Sequence, residues 1–163
     1  MKANVALIHR LISDQDFEKL AHFFDRNNKT KITRHFNPFP LTSQTAHTIV
    51  YTSHLDRYYF TLWSEEIVAF HMLRGWDEGF EIPSFGILID HHYRGLGLGK
   101  QIAEFGISEA RDLGCPGIRL SVYASNVQAV KLYLSLGYRE TTRECCVLAG
   151  EREEKIVMLR PLR

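Results

Sequence analysis

The chain has 163 residues, of which 45% are hydrophobic and 24% are charged, a composition ordinary for a globular protein. Twenty basic and nineteen acidic side chains leave a formal net charge of +1, so no overall field would draw the molecule to nucleic acid or to an anionic membrane. Because Val5 to Ile8 is too short for a secretory signal and no stretch approaches the roughly 20 apolar residues of a membrane span, we expect a cytoplasmic protein with one domain over residues 1–163.

The first third of the chain is typical of a strand followed by two helices. Residues Ala3 to Ile8 suggest a short strand, and Ser13-Asp14-Gln15-Asp16 is a suitable start for a helix that ends near Arg26. Two prolines and two aromatic residues between Arg34 and Leu41 predict an ordered loop. A second helix is expected from Thr42 or Ser43 to about Ser53.

Three antiparallel strands are predicted next. The alternating patterns of Tyr58–Trp63 and Ile67–Met72 flank the short turn Ser64-Glu65-Glu66 and indicate a hairpin. A further turn around Asp77-Glu78-Gly79 leads into a predicted strand from Phe80 to Ile89.

A glycine-rich segment, Arg-Gly-Leu-Gly-Leu-Gly-Lys, lies between the strand ending at Ile89 and an amphipathic helical stretch from Gln101 to Leu113. The first amides of a helix have no partner within it, and the helix dipole favours negative charge there. Three glycines remove the Cβ atoms that would keep a pyrophosphate from the backbone, and the flanking arginine and lysine add positive charge. The residues expected at this phosphate site are Arg94, Gly95, Gly97, Leu98, Gly99 and Lys100.

The spacing of this segment excludes two common phosphate loops. A nucleotide-triphosphate loop needs a glycine where the chain has Arg94 and a Ser or Thr where it has Gln101. A dinucleotide fingerprint needs its last glycine at Lys100 or at Ile102, depending on where the pattern starts. A tight turn without a ligand remains the alternative to phosphate binding.

The last third of the chain begins with a predicted strand, Ile118–Tyr123, and a helix that starts after Asn126 and ends before Gly137. Two closing strands are expected at Arg139–Leu148 and Arg152–Leu159. Helices and strands therefore mix in an α+β arrangement.

Two motifs in this region resemble those of the GCN5-related N-acetyltransferase family. Arg94, Gly97 and Gly99 form the Arg-x-x-Gly-x-Gly pattern of its coenzyme A loop, and the segment from Asn126 to Tyr138 is similar to its Asn-x-x-Ala-x-x-x-Tyr and Leu-Gly-Tyr signature. The resemblance implies a mixed, mostly antiparallel central sheet flanked by helices and splayed between the fourth and fifth strands. It also implies acetyl-coenzyme A as cosubstrate and direct acetyl transfer to a primary amine of a small molecule.

The same resemblance implies roles for several residues. Main-chain groups of Leu88 and Ile89 would contact the pantetheine arm, amides near Ile87 to Ile89 would stabilise the thioester oxygen, and the side chain of Asn126 would bind the pantetheine. Tyr133 would give a proton to the departing thiolate. The alternative is that Tyr133 only packs in the core and Asn126 only caps its helix.

The base that accepts the amine proton is less well indicated. Glu81 is the first candidate because family members often use a carboxylate nearby, although it also fits a solvated charge at a strand end. His71 has a suitable acidity, Asp90 is a third candidate, and water could carry the proton without a dedicated base.

The acceptor amine is left open by the sequence. Four aromatic residues suggest a stacking surface for an amino sugar or its nucleotide-linked form, while a protein N-terminus, polyamine, aminoglycoside or amino acid fits the motifs equally well. A domain that binds acyl-coenzyme A as a sensor without catalysis is a further alternative. The acyl-chain preference and the oligomeric state, including a homodimer paired through C-terminal strands, are not determined. The aromatic residues are Phe36, Phe39, Trp76 and Phe80.

Cysteines and histidines do not predict a disulfide or a metal site. The three cysteines are odd in number and show no Cys-x-x-Cys spacing. His91 and His92 are the only close histidine pair, with Asp90 as the one acidic neighbour, so we expect no bound metal. The cysteines are Cys115, Cys145 and Cys146, and none is placed as a nucleophile by the motifs.

Overall fold

The computed structural model of the chain describes residues 6–36 and 38–163. Its centre is a seven-stranded sheet in the order β1-β2-β3-β4-β5-β7-β6. The strands are β1 (Ile8–Leu11), β2 (Arg57–Trp63), β3 (Glu66–Arg74), β4 (Ser84–Ile89), β5 (Gly117–Tyr123), β6 (Arg139–Leu148) and β7 (Glu151–Pro161). The helices are α1 (Phe17–Asn27), α2 (Thr30–Thr33), α3 (Ser43–Tyr51), α4 (Leu98–Asp112) and α5 (Val127–Ser135), with a short 3₁₀ turn at His91–Tyr93. Within the described ranges, none of these helices is long and apolar enough to span a bilayer.

The sheet is antiparallel throughout except between β4 and β5, which run parallel. These two strands are paired at one position, Ser84 with Arg119, where the Arg119 amide donates to the Pro83 carbonyl at 3.0 Å. Beyond this pair the strands diverge. The structure therefore confirms the predicted mixed, mostly antiparallel sheet that is splayed between its fourth and fifth strands.

Helices cover the two faces of the sheet through separate apolar clusters. On one face, α1 and α3 pack against β2 to β4, with Leu20 and Phe70 fully buried. On the other face, α4 and α5 pack against β3, β4, β5 and β7 around Ile102 and Leu120. Each fully buried side chain of this size contributes about 1.5–3 kcal/mol, so both helix layers hold the sheet in place.

The first strand is shifted from its predicted position. The prediction covered Ala3 to Ile8, of which residues 3–5 lie outside the described part of the chain, whereas β1 starts at Ile8 and continues to Leu11. The strand includes two polar residues because both have partners on or beside the sheet. His9 Nδ1 lies 2.9 Å from Thr61 Oγ1, and the Arg10 guanidinium forms an ion pair with Asp16 at 2.7 Å.

The central strand is shorter than predicted. The expected strand began at Phe80, but β4 begins at Ser84, which pairs with Arg74 at the end of β3. Residues 80–83 have no partner on β3, which ends at Arg74, and Pro83 lacks the amide that a ladder would need. Glu81 therefore lies in the loop before β4 and not on the strand.

The hairpin between β2 and β3 is a two-residue turn in which both central residues have positive φ. Ser64 has φ +49° and Glu65 has φ +71°. This turn matches the twist of antiparallel strands but favours Asn and Gly, because other residues carry a steric cost of roughly 1–2 kcal/mol in this region.

We expect the double substitution Ser64→Asn with Glu65→Gly to stabilise the fold because it relieves this strain. A gain of about 1 kcal/mol corresponds to a rise in Tm of roughly 2–4 °C for a chain of this length. Thermal unfolding followed by circular dichroism would measure the change, with Glu66→Gly in β3 as a control that should lower Tm. An unchanged or lower Tm in the double variant would contradict the turn geometry.

Candidate functional site

The divergence of β4 and β5 leaves main-chain groups without a strand partner. The Asp90 amide donates to the Val68 carbonyl at 2.9 Å, so Val68 and Asp90 form a hydrogen-bonded pair of the β3–β4 ladder. Such pairs alternate along antiparallel strands, which makes Leu88 the next residue bonded to β3. The main-chain groups of Ile87 and Ile89 consequently face β5 across the gap.

This alternation separates the two residues expected to contact pantetheine. Ile89 presents its amide and carbonyl to the gap, as the resemblance implied. Leu88 is bonded to β3 through its main chain and is 1% exposed in the core beneath α1. Ile87 is the second residue that faces the gap, so a peptide-like chain lying there would be paired by residues two apart, as an added strand would be.

The glycine loop opens directly onto the N-terminus of α4. Gly95 and Gly97 have φ +76° and +78°, and Gly97 is the N-cap of the helix. No side chain caps this end, and its first turn carries no acidic residue. A Cβ on Gly95 would meet nothing within 4 Å. The first amides of α4 therefore have no side-chain cap, which suits an anionic ligand.

The other residues of the loop play different parts. Leu98 is buried in the core and anchors the start of α4. The Arg94 guanidinium donates to the Ile32 carbonyl at 2.7 Å, so it ties the loop to α2. Lys100 is exposed on the first turn of α4, where its ammonium group is free to approach a phosphate.

The end of β4, the glycine loop and α5 converge at one point. A Cβ placed on Gly99 would lie 3.6 Å from Leu132 Cδ2 and 3.7 Å from Ile89 Cδ1. The structure thus brings together the two sequence motifs and the open end of the gap.

Tyr133 lies on α5, next to Leu132, and Asn126 is the residue that precedes this helix. The ring of Tyr133 is buried in edge-to-face contact with Tyr138, with centroids 5.7 Å apart, and burial raises the pKa of Tyr133 to about 12. Asn126 precedes α5, but its side chain makes no capping hydrogen bond. Helix capping therefore does not explain Asn126, and its amide is available for another partner.

Asp90 fixes the segment that links β4 to the loop. Its buried carboxylate accepts hydrogen bonds from Arg26 Nε at 2.6 Å, Asn27 Nδ2 at 3.0 Å and the His92 amide at 3.0 Å. Burial alone would raise the pKa of Asp90, but these hydrogen bonds outweigh burial and lower it to about 2. The side chain therefore serves as a clamp between α1 and the loop, which sequence reasoning missed because Arg26 and Asn27 carry no local signal for such a contact.

The same carboxylate is the only acidic group in the described chain that joins His91 and His92 in a possible metal cluster. One ligand atom from each of the three lies within 4.8 Å of the others. However, the Asp90 oxygens already accept from Arg26 and Asn27, and the Arg26 guanidinium would repel a cation. This arrangement is that of an ion pair and not of a cation site.

The three candidate bases have different surroundings. His71 is 1% exposed, stacks on Tyr59 at 5.0 Å and lies under Phe105 of α4, and burial lowers its pKa well below the usual value. His71 is buried in the core and cannot reach a substrate. Asp90 is held as a carboxylate by its hydrogen bonds, so neither side chain is placed to accept a proton near neutral pH. Glu81 is exposed in the loop before β4. It lies beyond the end of β4 that is opposite the glycine loop, and the six residues of β4 from Ser84 to Ile89 span roughly 17 Å.

The four aromatic residues do not form one stacking surface. Phe36 and Phe39 pack on each other and against the cluster beneath α1, with Phe39 6.1 Å from Phe24. Trp76 packs against the cluster on the opposite face, and Phe80 is 53% exposed. The stacking surface that the sequence suggested for an amino sugar is therefore not formed by these residues.

Comparison with known proteins points to one family. The model of the acetyltransferase (GNAT) family matches residues 20–138. A curated relative, the [ribosomal protein bS18]-alanine N-acetyltransferase of Escherichia coli (strain K12), is 37% identical over 84 residues, which are 50% of this chain and 57% of that protein. The chain thus matches little more than half the length of this relative.

Solved structures share the fold over nearly the whole chain. The ribosomal-protein-S18-alanine N-acetyltransferase of Escherichia coli has a TM-score of 0.76 at 22% identity, covering 96% of this chain and 94% of that one. Spermidine N-acetyltransferase from Vibrio cholerae, in complex with CoA and spermine, has a TM-score of 0.81 at 16% identity, covering 96% and 95%. At these identities the likeness concerns the fold.

We expect Asp90→Asn to lower the free energy of unfolding and to make that free energy less dependent on pH in the acid range. The folded pKa of Asp90, about 2, lies below the unfolded value of 3.8, so its contribution of about 2 kcal/mol is complete above pH 4 and is lost as the pH falls toward 2. The difference in unfolding free energy between the wild type and Asp90→Asn should therefore shrink by about 1 kcal/mol from pH 7 to pH 3. Urea unfolding at both pH values would measure it, with exposed Asp112→Asn as the control. A constant difference would contradict the clamp.

Gly99→Ala should weaken ligand binding without destabilising the fold. The added methyl group would make ordinary contacts with Leu132 and Ile89, and alanine in a helix is about 1 kcal/mol more favourable than glycine, so Tm should not fall. If coenzyme A binds beside Gly99, the added methyl group should raise the Kd for coenzyme A roughly tenfold, which corresponds to about 1.4 kcal/mol. Calorimetric titration would measure Kd, with the exposed Ser108→Ala on the same helix as control. Unchanged affinity would exclude this position from the site.

Proposed function

Because the chain belongs to the acetyltransferase (GNAT) family, we propose that it transfers an acetyl group from acetyl-coenzyme A to the primary amine of a small molecule by direct attack in a ternary complex. The observation that carries the proposal is the convergence of the open α4 N-terminus, the unpaired end of β4 and the helix of Tyr133. Coenzyme A has a pyrophosphate that suits the α4 N-terminus, a peptide-like arm that suits the unpaired end of β4 and a sulfur atom that Tyr133 could approach.

The residues present fit this cosubstrate. The uncapped amides at the start of α4 would bind the pyrophosphate, with Lys100 adding charge. Ile87 and Ile89 would donate to and accept from the pantetheine amides across the gap, and the free side chain of Asn126 would add a further hydrogen bond. The bound thioester supplies the acetyl group and a thiolate leaving group.

Two groups of the chain would assist the transfer. A main-chain amide at the gap, from Ile87 or Ile89, would stabilise the negative charge that develops on the thioester oxygen, which is worth several kcal/mol when the donor is preorganised. Tyr133 would protonate the thiolate. Its raised pKa keeps the hydroxyl neutral at physiological pH, so the proton is present when the sulfur needs it.

Glu81 would accept the amine proton through water. Of the three candidates named from the sequence, it alone is solvent-exposed at the mouth of a groove next to the paired end of β4 and β5. A base there must be reached along the sheet from the reacting amine, so a bridging water is part of the proposal.

Direct attack is supported by the positions of the cysteines. Cys115 is buried, and burial raises its pKa, which disfavours the reactive thiolate. Cys145 and Cys146 lie on β6, the strand farthest from β4 on that side of the sheet. These positions give no support to a covalent acetyl-enzyme.

Tyr133→Phe should lower kcat roughly 100-fold while leaving the Kd for coenzyme A unchanged, because the ring that packs in the core is kept and the proton donor is removed. Thiol release from acetyl-coenzyme A across a panel of amines would measure kcat. Tyr138→Phe is the matched control, since its buried hydroxyl has no partner in the described structure and its loss should not slow the reaction. The wild-type kcat should show no falling limb up to about pH 10, because Tyr133 ionises only near pH 12.

Other outcomes of this assay are equally informative. Glu81→Gln should lower the rate most at low pH, where the amine is charged, and an unchanged profile would remove Glu81 from the proposal. Tight coenzyme binding without thiol release for any amine would favour a sensor over an enzyme.

A further inference from the structure

A groove of about 530 Å³ lies at the paired end of β4 and β5, on the sheet face opposite α4 and α5. In β5, Ile118 and Leu120 point into the core beneath α4, so the alternate residue Arg119 points to this face. No helix of the described chain packs over this part of the sheet. The residues that line the groove are Phe80, Glu81, Ile82, Arg119, Thr141, Thr142, Glu144, Val157, Met158 and Leu159.

The side chain of Arg119 lies in this groove without a hydrogen-bond or ion-pair partner in the described chain. Its Nε atom is buried and has no hydrogen bond, and no described carboxylate lies within ion-pair distance of its guanidinium. A desolvated donor without an acceptor is costly, and a guanidinium with a buried nitrogen gains most from a carboxylate that it can bind with two parallel hydrogen bonds. A ligand with an anionic group could therefore satisfy the Arg119 guanidinium in this groove.

The groove also contains two carboxylates, Glu81 and Glu144, but both are exposed to solvent. Exposed charges are screened by water and exert much weaker interactions than partly buried ones. They would favour an amine at the rim, whereas Arg119 favours a carboxylate on the floor. This charge pattern fits a compound that carries both groups and disfavours a polyamine.

Resting on the proposed function, we propose that the acceptor is an amine that carries a carboxylate, and that Arg119 binds this carboxylate and so determines acceptor specificity. Arg119 pairs with Ser84 at the closed end of the gap, while Ile87, three residues further along β4, faces its open part. Three residues of strand span about 10 Å. An acceptor between a free amino acid and a tripeptide in length bridges this distance, given the reach of the arginine side chain.

The binding test uses unreactive product analogues and does not depend on turnover. N-acetylated glycine, diglycine and triglycine, each as the free carboxylate and as the C-terminal amide, are titrated calorimetrically into the protein saturated with coenzyme A. At least one carboxylate should bind roughly 10- to 100-fold more tightly than its amide. The preference should vanish in Arg119→Gln, return in part in Arg119→Lys, and persist in Arg152→Gln, which removes an exposed arginine of β7 outside the groove. If no carboxylate binds more tightly than its amide, the proposal is wrong.

The turnover test uses the corresponding free amines, with spermidine and a C-terminally amidated peptide that starts with alanine as competitors. Carboxylate-bearing amines should have a 10- to 100-fold higher kcat/KM than their amides, and Arg119→Gln should remove this ratio through KM while the amides keep their rates. Thiol release that favours spermidine or the amidated peptide would overturn the proposed specificity and keep the acetyltransferase. An Arg119-dependent carboxylate preference in binding, without thiol release for any amine, would keep the inference and overturn the proposed reaction.

Discussion

The structure depends on a pair of parallel strands that are joined at one position and then separate. Main-chain amides and carbonyls are strong hydrogen-bonding groups, and a protein rarely leaves them without partners away from water. The strands pair at Ser84 and Arg119 and then diverge, so the main-chain groups of Ile87 and Ile89 have no strand partner. The sheet is thus incomplete by one short extended segment, and a ligand with peptide-like groups can complete it.

Contacts between residues far apart in the sequence position the two sides of this gap. On the β4 side, the carboxylate of Asp90 binds Arg26 and Asn27 at the end of α1, which fixes the segment leading into the glycine loop. On the β5 side, the loop after α2 crosses over, where His35 Nε2 lies 3.0 Å from Ser125 Oγ. The two sides of the gap are therefore held by different elements, α1 on one side and the loop after α2 on the other.

In the proposed function, the coenzyme and the amine substrate would contact different parts of the sheet. The glycine loop, the end of β4 and α5 form the part that matches the family motifs, and they meet around Gly99. Arg119, Glu81 and Phe80 lie outside both motifs, at the opposite end of β4. Relatives with this fold are named for a ribosomal-protein alanine or for spermidine. Such differences between acceptors are expected to reside in the residues outside the shared motifs.

The sequence by itself determined the features that depend on local rules. Glycine spacing, alternating strands and the left-handed Gly137 at φ +90° act over a few residues, so the α4 loop, the Tyr133 helix and the order of the other elements were predictable, whereas the one-turn helix α2 was missed. Only the tertiary structure decided which long-range partners meet. It shifted β1 to include His9 and Arg10, started β4 at Ser84, buried His71, engaged Asp90 with α1 and left the Arg119 Nε without a hydrogen bond. Several of these outcomes depend on contacts between residues more than fifty positions apart, such as His9 with Thr61 and Arg26 with Asp90, for which the spacing of residues along the chain carries no signal.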